Sequence, residues 1–114
     1  MNYSRIGALA VLLGTGCASS QLPQQQLLDT TAALDSAEEI DAGQTPQVEL
    51  HIRLANDQLA IAKSLIEEGE EERANRMLDR AQADAELALA HARTEKSRTE
   101  ASQAWTEVSE LQNR

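Results

Sequence analysis

Beyond residue 16 this chain contains only four helix breakers, Pro23, Gly43, Pro46 and Gly69, and none from Glu70 to Gln112. Proline removes a backbone donor and glycine costs conformational entropy, so an uninterrupted stretch of good helix formers has little reason to be anything but helix. That last stretch predicts a helix of about 65 Å at 1.5 Å per residue. The fold class expected is therefore all-α, with three helical segments. Leu27 to Asp41 is a short helix closed by Gly43 at its C-cap. Thr45 and Pro46 read as an N-cap and first helical position, opening a helix that runs to Glu68 and is ended by Gly69. The third helix occupies Glu70 to about Gln112. Ahead of them, Ala18 to Gln26, "ASSQLPQQQ", is polar and low in complexity, as a flexible tether would be.

The apolar pattern says how the last two segments meet. Val48, Ile52, Ala55, Leu59, Ala62 and Ile66 recur at spacings of four and three, the period of a packed helical seam. Ala74, Leu78, Ala81, Ala85, Ala88 and Ala92 repeat those spacings. Facing positions sum to 140, from 66 and 74 out to 48 and 92, which is what an antiparallel hairpin turning at Gly69 requires. Large residues mostly face small ones: Ile66 meets Ala74, Ala62 meets Leu78, Leu59 meets Ala81, Ile52 meets Ala88 and Val48 meets Ala92. Such pairing keeps the volume filled while the backbones approach closely.

Two apolar sets lie outside this seam. Leu50, Leu54, Ile61 and Leu65, with Met77, Leu87 and Leu89, need cover, and the first helix, with Leu27, Leu28, Leu34, Ala37 and Ile40, is the nearest candidate to supply it. The third helix is expected to project past the others. Its seam passes through Glu95 and Thr99 before apolar spacing resumes at Ala101, Ala104, Val108 and Leu111, with Trp105 alongside. Trp105, Val108 and Leu111 are the candidate interaction residues. Either this face receives the first helix, with Trp105 on Leu27, Leu34 or Ile40, or it meets another chain.

The N-terminus carries a different signal. Arg5 is followed by an apolar segment from Ile6 to Leu13 and the small residues Gly14, Thr15 and Gly16, the layout of a secretory signal. The segment is too short to span a bilayer, which needs about 20 apolar residues. The only cysteine, Cys17, comes next. This stretch resembles a bacterial lipoprotein precursor: Thr15, Gly16 and Cys17 match the last three positions of a lipobox, with Leu13 just upstream. The resemblance implies cleavage between Gly16 and Cys17, acylation of Cys17 on sulfur and amine, and attachment to a membrane, since each buried CH₂ contributes about 0.8 kcal/mol. Ala18 and Ser19, with no Asp after the cysteine, resemble lipoproteins sorted to the outer membrane, facing the periplasm. The expected division is a signal peptide at 1–16, an acylated tether at 17–26 and a helical domain at 27–114.

Loss of the signal takes Arg5 away and moves the formal net charge from −9 to −10. Nucleic acid is therefore a poor partner. Tyr3 leaves as well, so Trp105 is the one aromatic of a core otherwise built from Leu, Ile, Val and Ala.

Two family resemblances follow. Leu65 to Asp84, "LIEEGEEERANRMLDRAQAD", is similar to the turn of a tetratricopeptide repeat, with Gly69, Ala74, Leu78 and Ala81 at its small or apolar positions. From Pro46 to Arg98 the chain more closely resembles the domain of unknown function 4398: a Pro with a following Glu-Leu, an Ala- and Leu-rich helix, an acidic glycine turn, then "RANRMLDRAQADAELALA". That resemblance implies a helical envelope lipoprotein. Some members carry an appended peptidoglycan-binding domain; none is expected in this sequence.

Little here suggests chemistry. His51 and His91 lie toward the open end of the expected hairpin, and Glu95 follows His91 by one turn, but no metal site is expected from histidines on amphipathic helices. The acidic run Glu67, Glu68, Glu70, Glu71 and Glu72 places three carboxylates in the first turn of the third helix, where the dipole favours them. There is no phosphate-binding glycine loop and no nucleophile beside a base. No catalytic residue and no cofactor is expected. The expected function is a non-enzymatic structural or interaction module of the envelope, with a membrane and an envelope protein as partners. The alternative is a self-associating helical lipoprotein of the Braun type that contacts peptidoglycan.

Overall fold

A computed structural model describes residues 23–41 and 45–114. It contains α1 (Pro23–Asp41), α2 (Pro46–Glu67) and α3 (Glu71–Gln112). At 42 residues, α3 is about 63 Å long. Helices α2 and α3 form the antiparallel hairpin, and α1 packs chiefly on α3 with only a few contacts to α2.

The hairpin turns where the glycine stands. Gly69 has φ +77°, a left-handed conformation that costs other residues a Cβ clash. The Glu70 amide donates to the Leu65 carbonyl at 2.8 Å and the Gly69 amide to the Ile66 carbonyl at 3.1 Å. These two bonds form a Schellman motif, which satisfies carbonyls that the end of α2 would otherwise leave free. At the start of α2, Thr45 is extended and Pro46 opens the helix, as expected. The Thr45 hydroxyl makes no capping bond; its carbonyl accepts from Glu49 at 3.1 Å. Its amide donates to the Asp41 carboxylate at 3.0 Å. Gly43, the expected cap of α1, lies outside the described residues, as do Gly16 and Cys17.

The mirrored seam forms the core. All six predicted positions of α3, Ala74, Leu78, Ala81, Ala85, Ala88 and Ala92, are buried, as are Val48, Ala55, Leu59 and Ala62 of α2. Two clusters result. One joins Leu59, Ala62, Leu78 and Ala81 with Leu34 of α1; the other joins Val48, Ala88 and Ala92 with Ala37. Eight of the thirteen buried core residues are alanines, so the helices pack closely along a thin seam in which large residues are opposed by methyl groups.

Three expectations need correction. Ile66 is 45% exposed and Leu65 is buried in its place. Positions 65 and 66 fall on either side of a seam that drifts about 20° per heptad. On the Ile66 side the described neighbours are at the start of α1, Pro23, Gln24 and Leu27. Second, α1 begins at Pro23, four residues before Leu27, so Pro23–Gln26 are helix and not tether. Proline is well suited to a first helical position. Gln26, in that turn, is buried and donates to Asp79 at 2.8 Å and Gln82 at 3.0 Å on α3. Third, α1 does not cover the second stripe of α2. A hairpin has two grooves, and a single short helix fills one of them. Leu50, Leu54 and Ile61, with Leu87 of α3, flank the other and stay exposed.

Candidate functional site

The end of α3 presents a run of apolar side chains that no other described residue covers. The last buried residue of α3 is Ala92, and every residue from Lys96 to Arg114 is exposed. Trp105 is 76% exposed, with Val108 and Leu111 exposed beside it. The expectation that Trp105 packs on Leu27, Leu34 or Ile40 is thereby overturned: α1 runs alongside the hairpin and its last turn, near Ile40 and Asp41, reaches no further than the level of Glu95 to Glu100.

Helical geometry explains why α2 does not reach this face. Ala92 and Ala101 are nine residues apart, about two and a half turns. The stripe carrying Ala101, Ala104, Val108 and Leu111 is therefore rotated by about half a turn from the seam that faces α2. It lies on the back of α3. Ala101, Ala104, Trp105 and Val108 line one shallow depression there, and Arg93, Thr94, Ser97, Arg98 and Ala101 line another. Because both share Ala101, the surface is one continuous face running from residue 93 to residue 108, with Leu111 exposed one turn further on.

A second group, which periodicity did not reveal, sits in the groove left open by α1. The His51 and His91 rings stack, with centroids 5.7 Å apart and planes within 9°. Nδ1 of His51 lies 2.9 Å from Asp84 Oδ1, and Gln58 Nε2 donates to Asp84 Oδ2 at 2.9 Å. Oε1 of Gln58 is buried without a hydrogen-bond partner. The only advance signal was that positions 51 and 91, and 58 and 84, share one sum of 142, beside the seam's 140. This arrangement is a polar clasp between α2 and α3. Ring lone pairs lie in the ring planes, so two nearly parallel stacked imidazoles keep them in separate parallel planes that do not converge on one ion. Among the described residues no group of three or more His, Cys, Asp or Glu is placed to hold a metal. Among the described residues the partners given for this group are the Asp84 carboxylate and the Gln58 amide, with no hydroxyl or thiol bonded to either ring.

At the turn, Glu67 to Glu72 are all exposed. Glu71 and Glu72 occupy the first turn of α3, where the dipole favours them. Glu68 accepts from the Ser64 hydroxyl at 3.1 Å.

The described residues thus define a small all-helical module: an antiparallel hairpin, a supporting helix in one groove, and a projecting arm with an uncovered apolar face. The model of the family described as "Domain of unknown function (DUF4398)" matches residues 25–104, and the chain belongs to that family. The match takes in all of α2, α1 from Gln25 onward, and α3 as far as Ala104. No curated protein and no solved structure matches the chain.

Proposed function

We propose that this protein is a non-enzymatic lipoprotein of the bacterial envelope, acylated at Cys17 and anchored in the outer membrane facing the periplasm. Its function is to present the back of α3, around Trp105, to another protein. The observation that carries the interaction role is the exposed stripe Ala101, Ala104, Trp105, Val108 and Leu111, rotated away from the seam that faces α2 and lying beyond the end of α1. Exposed aromatics on such faces are typical anchors of protein interfaces. The anchoring reading rests on the signal-like segment and the lipobox-like Thr15-Gly16-Cys17.

Together these readings set an orientation. Pro23 lies beside Ile66 at the closed end of the hairpin, so a lipid at Cys17 holds that end nearest the bilayer and the arm points away from it. Labelling with a fatty-acid analogue and membrane fractionation test the anchor: wild type should take up label and Cys17→Ser should not. Equal labelling of both would end the lipoprotein reading. Crosslinking in intact envelopes tests the arm: wild type should capture a partner that Trp105→Glu loses.

A further inference from the structure

The exposed face of α3 is complementary to itself. Its seam runs Thr94, Ser97, Ala101, Ala104, Val108 and Leu111, at spacings of three, four, three, four and three, the repeat of a two-helix coiled coil. Read from either end, it mirrors about a point between residues 102 and 103: 94 and 111, 97 and 108, and 101 and 104 each sum to 205. In that antiparallel register Leu111 faces Thr94, Val108 faces Ser97 and the two alanines face one another. Large residues oppose small ones, as in the hairpin of the same chain, where Val48, Leu59 and Leu78 are buried against alanines. Trp105 falls close to the mirror point, so a symmetric pair would place the two indoles on one flank, one toward each end of the alanine layers.

Charge selects the same arrangement. Residues 93–98 carry Arg93, Lys96 and Arg98 against Glu95, whereas 107–112 carry Glu107 and Glu110 and no base. The register summing to 205 lays the net-basic stretch of one copy along the net-acidic stretch of the other. A parallel pair would lay like charge on like. The Arg98–Glu95 contact within one chain, 2.8 Å long with the arginine side chain 72% exposed, is a surface pair of small worth and does not compete strongly. Ile40, Asp41 and Thr45 reach the level of Glu95 to Glu100 but line the side of α3 that carries Ala92 and Thr99, not the side that carries Ser97 and Ala101.

We infer that the arms of two copies of this chain pair antiparallel through residues 93–112, a two-fold contact in which the same patch serves both partners. This rests on reading the arm as an interaction surface, and names a second copy as what it meets. The test uses the full chain carrying Cys17→Ser, so that an introduced cysteine is the only thiol. Ser97→Cys and Val108→Cys are made as separate variants, oxidised alone and as a mixture. In one helix these positions are about 16 Å apart, far beyond the reach of a disulfide.

The expected result is a crosslinked dimer in the mixture and none from either variant alone, with the dimer lost when Ala104→Glu is added to both. Dimers from either variant alone would overturn the antiparallel register. No dimer in the mixture, with a monomer in sedimentation, would overturn self-pairing altogether. In that case, capture of a different envelope protein by wild type but not by Trp105→Glu would leave the interaction role standing without it.

Discussion

Gly69 and Leu78 show what single residues hold in this fold. A Cβ built on Gly69 meets nothing within 4 Å, so Gly69→Ala is disfavoured only by its backbone at φ +77°. The expected loss is about 1 kcal/mol. Leu78 is fully buried and is the largest side chain so placed. Leu78→Ala leaves a void opposite Ala62, which has no longer side chain with which to refill it, and should cost about 2–5 kcal/mol. Leu50, 43% exposed on the open groove, is the control, and Leu50→Ala should stay within about 0.5 kcal/mol of wild type. Urea unfolding reads all three, with a fall in midpoint at unchanged slope marking a true stability change. Equal losses from Leu78→Ala and Leu50→Ala would mean that the seam is not the core.

At the scale of elements, what the sequence disclosed and what it concealed divide along one line. Apolar spacing reveals where a helix meets one neighbour, so the α2–α3 register was legible from Val48 to Ala92, and the breakers Pro46 and Gly69 located both ends of α2. Polar contacts have no period. The early start of α1 was hidden because Gln24, Gln25 and Gln26 look like tether, although Gln26 bridges to Asp79 and Gln82. Asp41, buried and bonded to the Thr45 amide, was hidden for the same reason. The choice of groove was hidden because α1 has apolar residues enough for either one. At the candidate site, the spacing of Trp105, Val108 and Leu111 was legible, while their freedom from α1 was not, since that depends on where α1 stops. The clasp at Asp84 tests the polar part of the account. Asp84→Ala removes the acceptor of both His51 and Gln58 and leaves Gln58, whose Oε1 is already unpaired, without its interhelical bond. A loss of about 1–3 kcal/mol is expected, toward the lower end because the Asp84 side chain is 18% exposed. No loss would show the clasp to be ornamental to the hairpin.

For the whole molecule, the decisive contrast is between a body that buries its seam and an arm that buries nothing of its own. No residue beyond Ala92 belongs to the core, and the last side chains near the α1–α2 junction are Glu95, Lys96, Thr99 and Glu100. Deleting residues 101–114 should therefore leave the unfolding free energy of the body within about 0.5 kcal/mol of wild type. It should also remove self-association, because Ala101, Ala104, Val108 and Leu111 go with it. The arm's own fate follows from helix physics. The arm continues a helix that the body already nucleates, but without tertiary cover each added residue returns little, so its free end opens readily in water. Its amides should then exchange quickly in a dilute monomer and be protected once a second copy covers the face, whereas those of Leu59, Leu78 and Ala85 should be protected at every concentration. Hydrogen exchange across a dilution series makes that comparison within one sample. Protection of residues 101–112 that rises with concentration while the seam stays constant is the expected outcome. Protection independent of concentration would mean that the arm is held by its own chain, and the back of α3 would no longer be a surface waiting for a second molecule.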